Sequence, residues 1–476
     1  MITDLKPYEE YKESGLPWLG QVPEHWEVKR AKSIFVCIDN RSMTGKEELL
    51  TVSSTRGVIP RNSAKVTMFK AESYVGYKLC WPGDLVINSL WAWAGGLGVS
   101  QYHGIVSSAY GVYRTRSNAV MLSAFVHLVV RSTPFNWELK VRSKGIWTSR
   151  LQLTDYSFLD APFPVPPPAE QAAIVRFLNW ANGRLDRAIL AKRKIIKLLE
   201  EQKQVIIHRA VTRGLDPNVM LKPSGVEGLG NIPAHWKITK LKFAASVQTG
   251  ITLGKQYNKV QLSERPYLRV ANVQSGRLDL RRIKSVYVPD SEARSCELIN
   301  GDVLMTEGGD IDKLGRGCLW RGEIQNCIHQ NHIFAVRTNA AKLIPKFLAA
   351  LTFSGHGRRY FQTTAKQTTN LASTNSTTVR DFPLVMPPID EQGLILEYID
   401  KKSTGLNSAI SRLEREIDLL REYRTRLIAD VVTGKLDVRE AAAMLPDEII
   451  SDPDAKVCDD ELIDEEEDVT ALENEN

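Results

Sequence analysis

The chain repeats itself, and that duplication restricts its architecture more than any other feature. Lys12-Glu13-Ser14-Gly15-Leu16-Pro17-Trp18-Leu19-Gly20-Gln21-Val22-Pro23-Glu24-His25-Trp26 returns 210 residues later as Lys222-Pro223-Ser224-Gly225-Val226-Glu227-Gly228-Leu229-Gly230-Asn231-Ile232-Pro233-Ala234-His235-Trp236. Lys, Ser, Gly, Leu, Gly, Pro, His and Trp hold the same places in both. A second box, Asp160-Ala161-Pro162-Phe163-Pro164-Val165-Pro166-Pro167-Pro168-Ala169-Glu170-Gln171, returns at an offset of 221 as Asp381-Phe382-Pro383-Leu384-Val385-Met386-Pro387-Pro388-Ile389-Asp390-Glu391-Gln392. The same offset pairs Val211-Thr212 with Val432-Thr433 and Leu215-Asp216 with Leu436-Asp437. Because the spacing grows between the boxes, one copy gained loop residues while its frame stayed fixed.

Each repeat reads as a Gly/Pro-rich opening that ends in His-Trp, a mixed domain, a proline stop and a long helix. Short β-rich runs such as Leu49-Leu50-Thr51-Val52-Ser53 and Tyr267-Leu268-Arg269-Val270 predict strands. Gly83-Asp84 before Leu85-Val86-Ile87, and Gly301-Asp302 before Val303-Leu304-Met305, predict a turn feeding a strand. Proline removes a backbone donor and biases its predecessor towards extended conformations, so the proline runs end the mixed domains. No proline follows Glu170 until Pro217, nor Glu391 until Pro446.

Apolar residues in the second of these stretches recur at alternating steps of four and three: Leu406, Ile410, Leu413, Ile417, Leu420, Leu427 and Val431, with Arg424 in the interrupted slot. The same register in the first gives Leu185, Ile189, Lys192, Ile196, Leu199, Lys203, Ile206 and Ala210. This is the heptad pattern of a coiled-coil seam. A helix from Gln171 to Thr212 would run about 60 Å. That length overshoots a cap on its own domain and suits a helix paired antiparallel with its duplicate. The expected fold is α+β: two tandem mixed domains, each followed by a long helix, the two helices pairing as an antiparallel coiled coil with pseudo-two-fold symmetry.

Composition narrows the class. At 476 residues, with 43% hydrophobic and 25% charged, the chain is long enough for about three globular units. No run approaches the ~20 apolar residues of a membrane span, and the start lacks a signal layout, so a cytoplasmic location is expected. Six scattered cysteines without CxxC pairing read as reduced thiols. The net charge of +6 hides an asymmetry: residues 446–476 carry 14 acidic side chains against one Lys, leaving the body 61 Lys and Arg against 42 Asp and Glu. A basic body suits a polyanionic ligand. The acidic tail reads as a solvated disordered end or as a modulator that competes with that ligand for basic surface.

No catalytic motif emerges. Gly250-Ile251-Thr252-Leu253-Gly254-Lys255-Gln256 has the wrong spacing for a phosphate loop and no hydroxyl for Mg²⁺. Pro166-Pro167-Pro168 and Met386-Pro387-Pro388 lack the flanks of an amino-methyltransferase box. Cys327, His329 and His332 lie close in sequence, but zinc usually takes four ligands in paired spacing. Ordinary strand side chains are the simpler reading. His25 and His235 suit a structural role better than a catalytic one.

The duplicated Pro-x-His-Trp box, the duplicated Pro-Pro-x-x-Glu-Gln box before a long helix, and the repeated Val-Thr…Leu-Asp close together resemble the specificity subunit of type I restriction-modification systems. The resemblance covers residues 11–440 and implies a non-catalytic subunit. Residues 1–160 and 217–381 would be target recognition domains reading the halves of a split double-stranded DNA sequence. Residues 161–216 and 382–440 would be spacer helices, and 441–476 an acidic tail outside the pattern. Two methyltransferase subunits and restriction subunits would be the partners. S-adenosylmethionine, ATP and Mg²⁺ would sit on those partners and none on this chain.

Sequence reading needs side chains that reach base edges, with Arg suited to guanine and Asn or Gln to adenine. In the first domain the candidates are Ser54, Thr55, Arg56, Arg61, Asn88, Ser149 and Arg150. The run Leu90-Trp91-Ala92-Trp93-Ala94-Gly95-Gly96 is either a surface that approaches DNA or a buried Trp pair beside a turn. In the second domain the candidates are Asn272, Gln274, Lys313, Arg316, Lys366, Gln367 and Asn370. Two classes compete: a fused nuclease or methylase, which predicts cofactor binding or metal-dependent cleavage by the pure chain, and a coiled-coil interaction scaffold without DNA reading, which predicts no salt-dependent duplex binding.

Overall fold

A computed structural model describes residues 5–64, 71–145, 151–255, 257, 260–274, 276–309, 314–315, 317–367 and 372–446. The chain divides into two compact units, residues 1–193 with 414–476, and residues 194–413. Both divisions fall inside a long helix. The first helix spans Pro168–Arg213 and the second Ile389–Val432. Proline at the start of the first loses nothing, because the opening N–H groups have no intrahelical partner. Glu170 and Glu391 occupy the first turns, where the helix dipole favours an anion. Gly214 and Gly434, at φ +72° and +78°, end the two helices in the left-handed conformation that favours glycine.

In the first unit a four-stranded antiparallel sheet runs in the order Phe35–Cys37, Tyr110–Thr115, Leu85–Asn88, Leu97–Val99. Helices Ser123–Val130 and Thr133–Arg142 contribute Phe125 and Phe135 to a core built around Trp26, Phe35, Leu85 and Phe163. Ile174, Phe177, Leu178 and Ala181 reach that core from the start of the first long helix. Leu427, Val431 and Val432 reach it from the end of the second.

The second unit repeats the arrangement. Its sheet runs Ala245–Thr249, Ile333–Thr338, Val303–Thr306, Cys318–Leu319, all antiparallel. Trp236, Phe334, Phe347 and Leu351 form the core, joined by Ile207, Ala210 and Val211 from the first helix and Ile395 and Leu396 from the second. Each core therefore draws on the start of one helix and the end of the other. The strand anticipated at Tyr267-Leu268-Arg269-Val270 ends earlier than its composition suggests. It spans Leu262–Leu268, and Val270–Asn272 is a 3₁₀ turn closed by the Asn272 side chain on the Arg269 N–H.

Along the helices Leu185, Ile189, Ile417, Leu427 and Val431 are buried, while Ile196, Leu199, Ile206, Leu406, Ile410, Leu413 and Leu420 are half-buried. Polar residues in the seam reach partners. Lys192 donates to Glu416 and Arg424 to Asp186 in the first unit, and Lys203 donates to Asn407 at 2.8 Å in the second. Among the described residues no helix is long and apolar enough to cross a membrane.

Candidate nucleic-acid interface

The boxes that repeat in sequence meet in space. Glu170 accepts the Trp26 indole N–H at 2.8 Å and the Tyr8 hydroxyl at 2.5 Å, and its other oxygen pairs with His25 Nε2 at 2.8 Å. Burial, then the bond to Glu170, pushes the Tyr8 phenol far above its usual range and keeps it a donor. In the second copy Glu391 accepts the Trp236 indole at 2.9 Å and pairs with His235 at 2.8 Å. The next residue also repeats its task. Gln171 accepts from the Leu122 N–H and donates to the Val120 and Pro166 carbonyls, as Gln392 does with Ile344, Lys342 and Pro387. Each Glu-Gln pair clasps an opening box and a helix start to one domain.

The Gly-Asp turns repeat as well. Asp84 receives two bonds from Arg114 at 2.8 and 2.7 Å, and Asp302 two from Arg337, both at 2.8 Å. Both carboxylates are buried, and each also accepts a backbone N–H, from Trp81 or Ile299. Sequence reading identified the turns but not their arginines, which stand across the sheet with no local signal.

On this frame the first unit displays a hairpin of Leu50–Ser53 with Gly57–Pro60. Ser54 and Thr55 are exposed on its turn, Arg56 is half-buried there, and Arg61 opens the 3₁₀ turn Arg61–Ser63 just beyond. Four candidates thus come together on one hairpin. Arg131 holds it in place, donating to the Ser54 and Thr55 carbonyls on one side and to Gly95 and Leu97 on the other. Asn88, half-buried, turns its amide towards the Tyr110 hydroxyl at 3.3 Å. Trp91 is 48% exposed, so the aromatic run is not a buried pair.

Beside the hairpin, His127 accepts the Val99 N–H on Nδ1 at 3.2 Å. Burial, then the Arg131 charge, lowers its pKa to about 4.

In the second unit Asn272 is buried, its amide donating to the Asp279 and Arg282 carbonyls. That side chain braces its own loop. Gln274, two residues on, is exposed. Lys366–Gln367 pairs with Ala372–Ser373, which pairs in turn with Gly308–Gly309, and Lys366 is exposed. Ser149, Arg150, Lys313, Arg316 and Asn370, with the Gln367 side chain, lie outside the described residues.

Cys327, His329 and His332 go separate ways. His329 is buried with Nδ1 on the Cys296 carbonyl, His332 pairs with Glu307, and the Cys327 thiol faces the Ile328 carbonyl. Among the described residues no group of three or more His, Cys, Asp or Glu could hold a metal ion.

Fold and site together define a mixed α+β protein built on one repeated frame, each copy displaying its own polar loops. No protein-family profile matches the chain. The putative type I restriction enzyme MjaX specificity subunit of Methanocaldococcus jannaschii is 22% identical over 207 residues, 43% of this chain and 47% of that one. The EcoKI specificity subunit of Escherichia coli is 22% identical over 351 residues, 69% of this chain and 72% of that one. The MjaVIII specificity subunit of M. jannaschii is 22% identical over 445 residues, 88% and 95% of the two chains. The match to MjaX spans less than half of that relative, whereas the others span most of theirs. A chain from a solved structure of a type I R-M system superposes with a TM-score of 0.56 at 15% identity, covering 87% of this chain and 99% of that one. The fold is shared with that one chain, and the curated relatives of this chain are type I restriction enzyme specificity subunits.

Proposed function

We propose that this chain is the non-catalytic DNA-reading subunit of a type I restriction-modification complex, with two recognition domains that each read one half of a split duplex target. The observation that carries the reading is the repeated frame itself. Sheet order, Glu-Gln clasp and Asp-Arg turn are the same in both copies, while the loops displayed on them differ. A reader of two different half-sites needs that combination: equivalent placement, unlike side chains. The basic body supplies the sequence-independent share of affinity through phosphate contacts.

The helices pair as an antiparallel coiled coil in this reading. Moving forward from Asp186 to Lys192 on the first corresponds to moving back from Arg424 to Glu416 on the second, which supports that order. The pair would set the spacer between half-sites and dock two methyltransferase subunits, with restriction subunits joining. S-adenosylmethionine, ATP and Mg²⁺ belong to those partners.

The test is to purify the tagged chain from its host, weigh what accompanies it, and map methylated sites made by the complex. Two methyltransferases per chain and a bipartite motif of fixed spacing are expected, with duplex binding that weakens as salt rises. A chain that returns without a methyltransferase and binds no duplex overturns the reading in favour of a coiled-coil scaffold.

A further inference from the structure

The turn after strand Leu85–Asn88 carries an aromatic surface that the frame does not use. Leu90 and Trp91 are 51% and 48% exposed. The Trp91 and Trp93 rings lie parallel within 14°, centroids 6.1 Å apart, and Lys140 Nζ sits 5.9 Å over the Trp93 ring. Backbone bonds hold the turn: the Trp91 N–H donates to Asn88, and the Ala94 and Gly96 N–H groups both donate to the Trp91 carbonyl. Gly96 is required there, since a Cβ would lie 2.9 Å from the Trp91 Cβ. The indole is thus displayed by a stiff turn. Through Arg131 that turn is fixed beside Ser54 and Thr55.

The corresponding stretch of the second unit, residues 307–317, contains no aromatic residue. After strand Val303–Thr306 come Glu307, Gly308 and Gly309, and the two glycines are spent on pairing with Ala372–Ser373.

We propose that Trp91, flanked by Leu90, stacks at a base step of the half-site read by the first domain, so that one half of the target is held by intercalation and the other is not. The inference rests on the DNA-reading function above. Every base offers a π-face, so an indole gains affinity without demanding one sequence, and an apolar side chain at a step opens it. The surroundings favour a base over a protein surface. The exposed indole stacks on Trp93, over whose ring the exposed Lys140 ammonium lies, and its turn is tied through Arg131 to the hairpin that carries four candidate readers; a cation beside stacked rings suits a base flanked by phosphates.

The test uses the full chain with its methyltransferase partner and duplexes carrying the mapped target, with the fluorescent base 2-aminopurine placed at successive positions. The wild-type complex should change the emission at one step of the first half-site. Trp91→Ala should abolish that change and weaken binding by roughly ten- to a hundredfold, Trp91→Phe should restore most of both, and second-half-site positions should not respond. Tyr156→Ala, an aromatic 83% exposed on helix Asp155–Leu159, should behave as wild type. Circular dichroism should show Trp91→Ala folded, since the turn's bonds are backbone bonds. Unchanged emission and affinity in Trp91→Ala overturn the proposal alone, as does loss of the methyltransferase with DNA contact intact. A wild-type complex that binds no duplex overturns it together with the function it rests on.

Discussion

Glu170 stands 144 residues from Trp26 in sequence and accepts its indole N–H at 2.8 Å inside the first domain's core. The same relation recurs between Glu391 and Trp236 at 2.9 Å. A buried indole needs an acceptor, and a buried carboxylate needs donors, so each satisfies the other's cost of leaving water. The clasp explains why two boxes so far apart are both repeated.

The two clasps are not equally buried, and that sets the first prediction. The Glu170 side chain is 5% exposed and the Glu391 side chain 26%. Glu170→Ala leaves two buried donors, Trp26 and Tyr8, without an acceptor and should cost about 2–4 kcal/mol. Glu391→Ala, where water can replace the carboxylate, should cost about 1–2 kcal/mol. Urea unfolding, with hydrogen exchange to assign the loss to each unit, measures both.

The Asp-Arg turns give a second. Asp302 is fully buried, but Arg337 is 36% exposed, so solvent screens part of the attraction. Asp302→Asn keeps the acceptor for the Ile299 N–H and should cost about 1–2 kcal/mol. Asp302→Ala also removes that acceptor and should cost about 2–3 kcal/mol. Thermal unfolding of the two variants side by side separates charge from cap.

Much of this fold is legible in the sequence because duplication doubles every signal. Leu85–Asn88 and Val303–Thr306 follow their Gly-Asp turns as composition suggests, and the proline runs mark where the helices begin. What stays hidden is what depends on distant partners. Asn272 has the residue type of a base reader yet closes its own turn, because a side-chain amide serves a backbone carbonyl as readily as an adenine. Arg131 follows an apolar helix with nothing local to mark it, yet it joins the hairpin to the aromatic turn. The exchange of helix ends between cores is likewise invisible, since apolar periodicity gives a face but not its occupant.

That exchange yields a third prediction. Ile207 lies on the helix that follows the first domain, but its neighbours belong to the second domain's core, and Leu427, on the helix after the second domain, packs in the first. Ile207→Ala should therefore weaken the second unit, and Leu427→Ala the first, by about 2–4 kcal/mol each. Hydrogen exchange at strands Ile333–Thr338 and Tyr110–Thr115 reads the two units separately. Faster exchange in the unit that precedes the mutated helix in sequence, and not in the other, would contradict the arrangement.

Acid should destabilise both units well before ordinary carboxylates protonate. Burial holds His127 and His329 at about 4, against an ordinary value near 6.5. The folded state keeps both rings neutral, and the unfolded chain binds their protons more readily. Stability is therefore complete above pH 6.5 and is lost progressively as pH falls from 6.5 to about 4. His127 has a particular reason to stay neutral: its Nδ1 accepts the Val99 N–H, which a protonated ring cannot do, and the Arg131 charge stands at the C-cap of its helix. His127→Gln can retain an acceptor there but cannot titrate. Melting temperatures between pH 7 and 5 should fall for the wild type and fall less for His127→Gln. The His329 contribution remains in that variant, so its slope should shrink without vanishing. Equal slopes would mean that His127 charges without cost, and the neutral imidazole would not be what ties Val99 to helix Ser123–Val130.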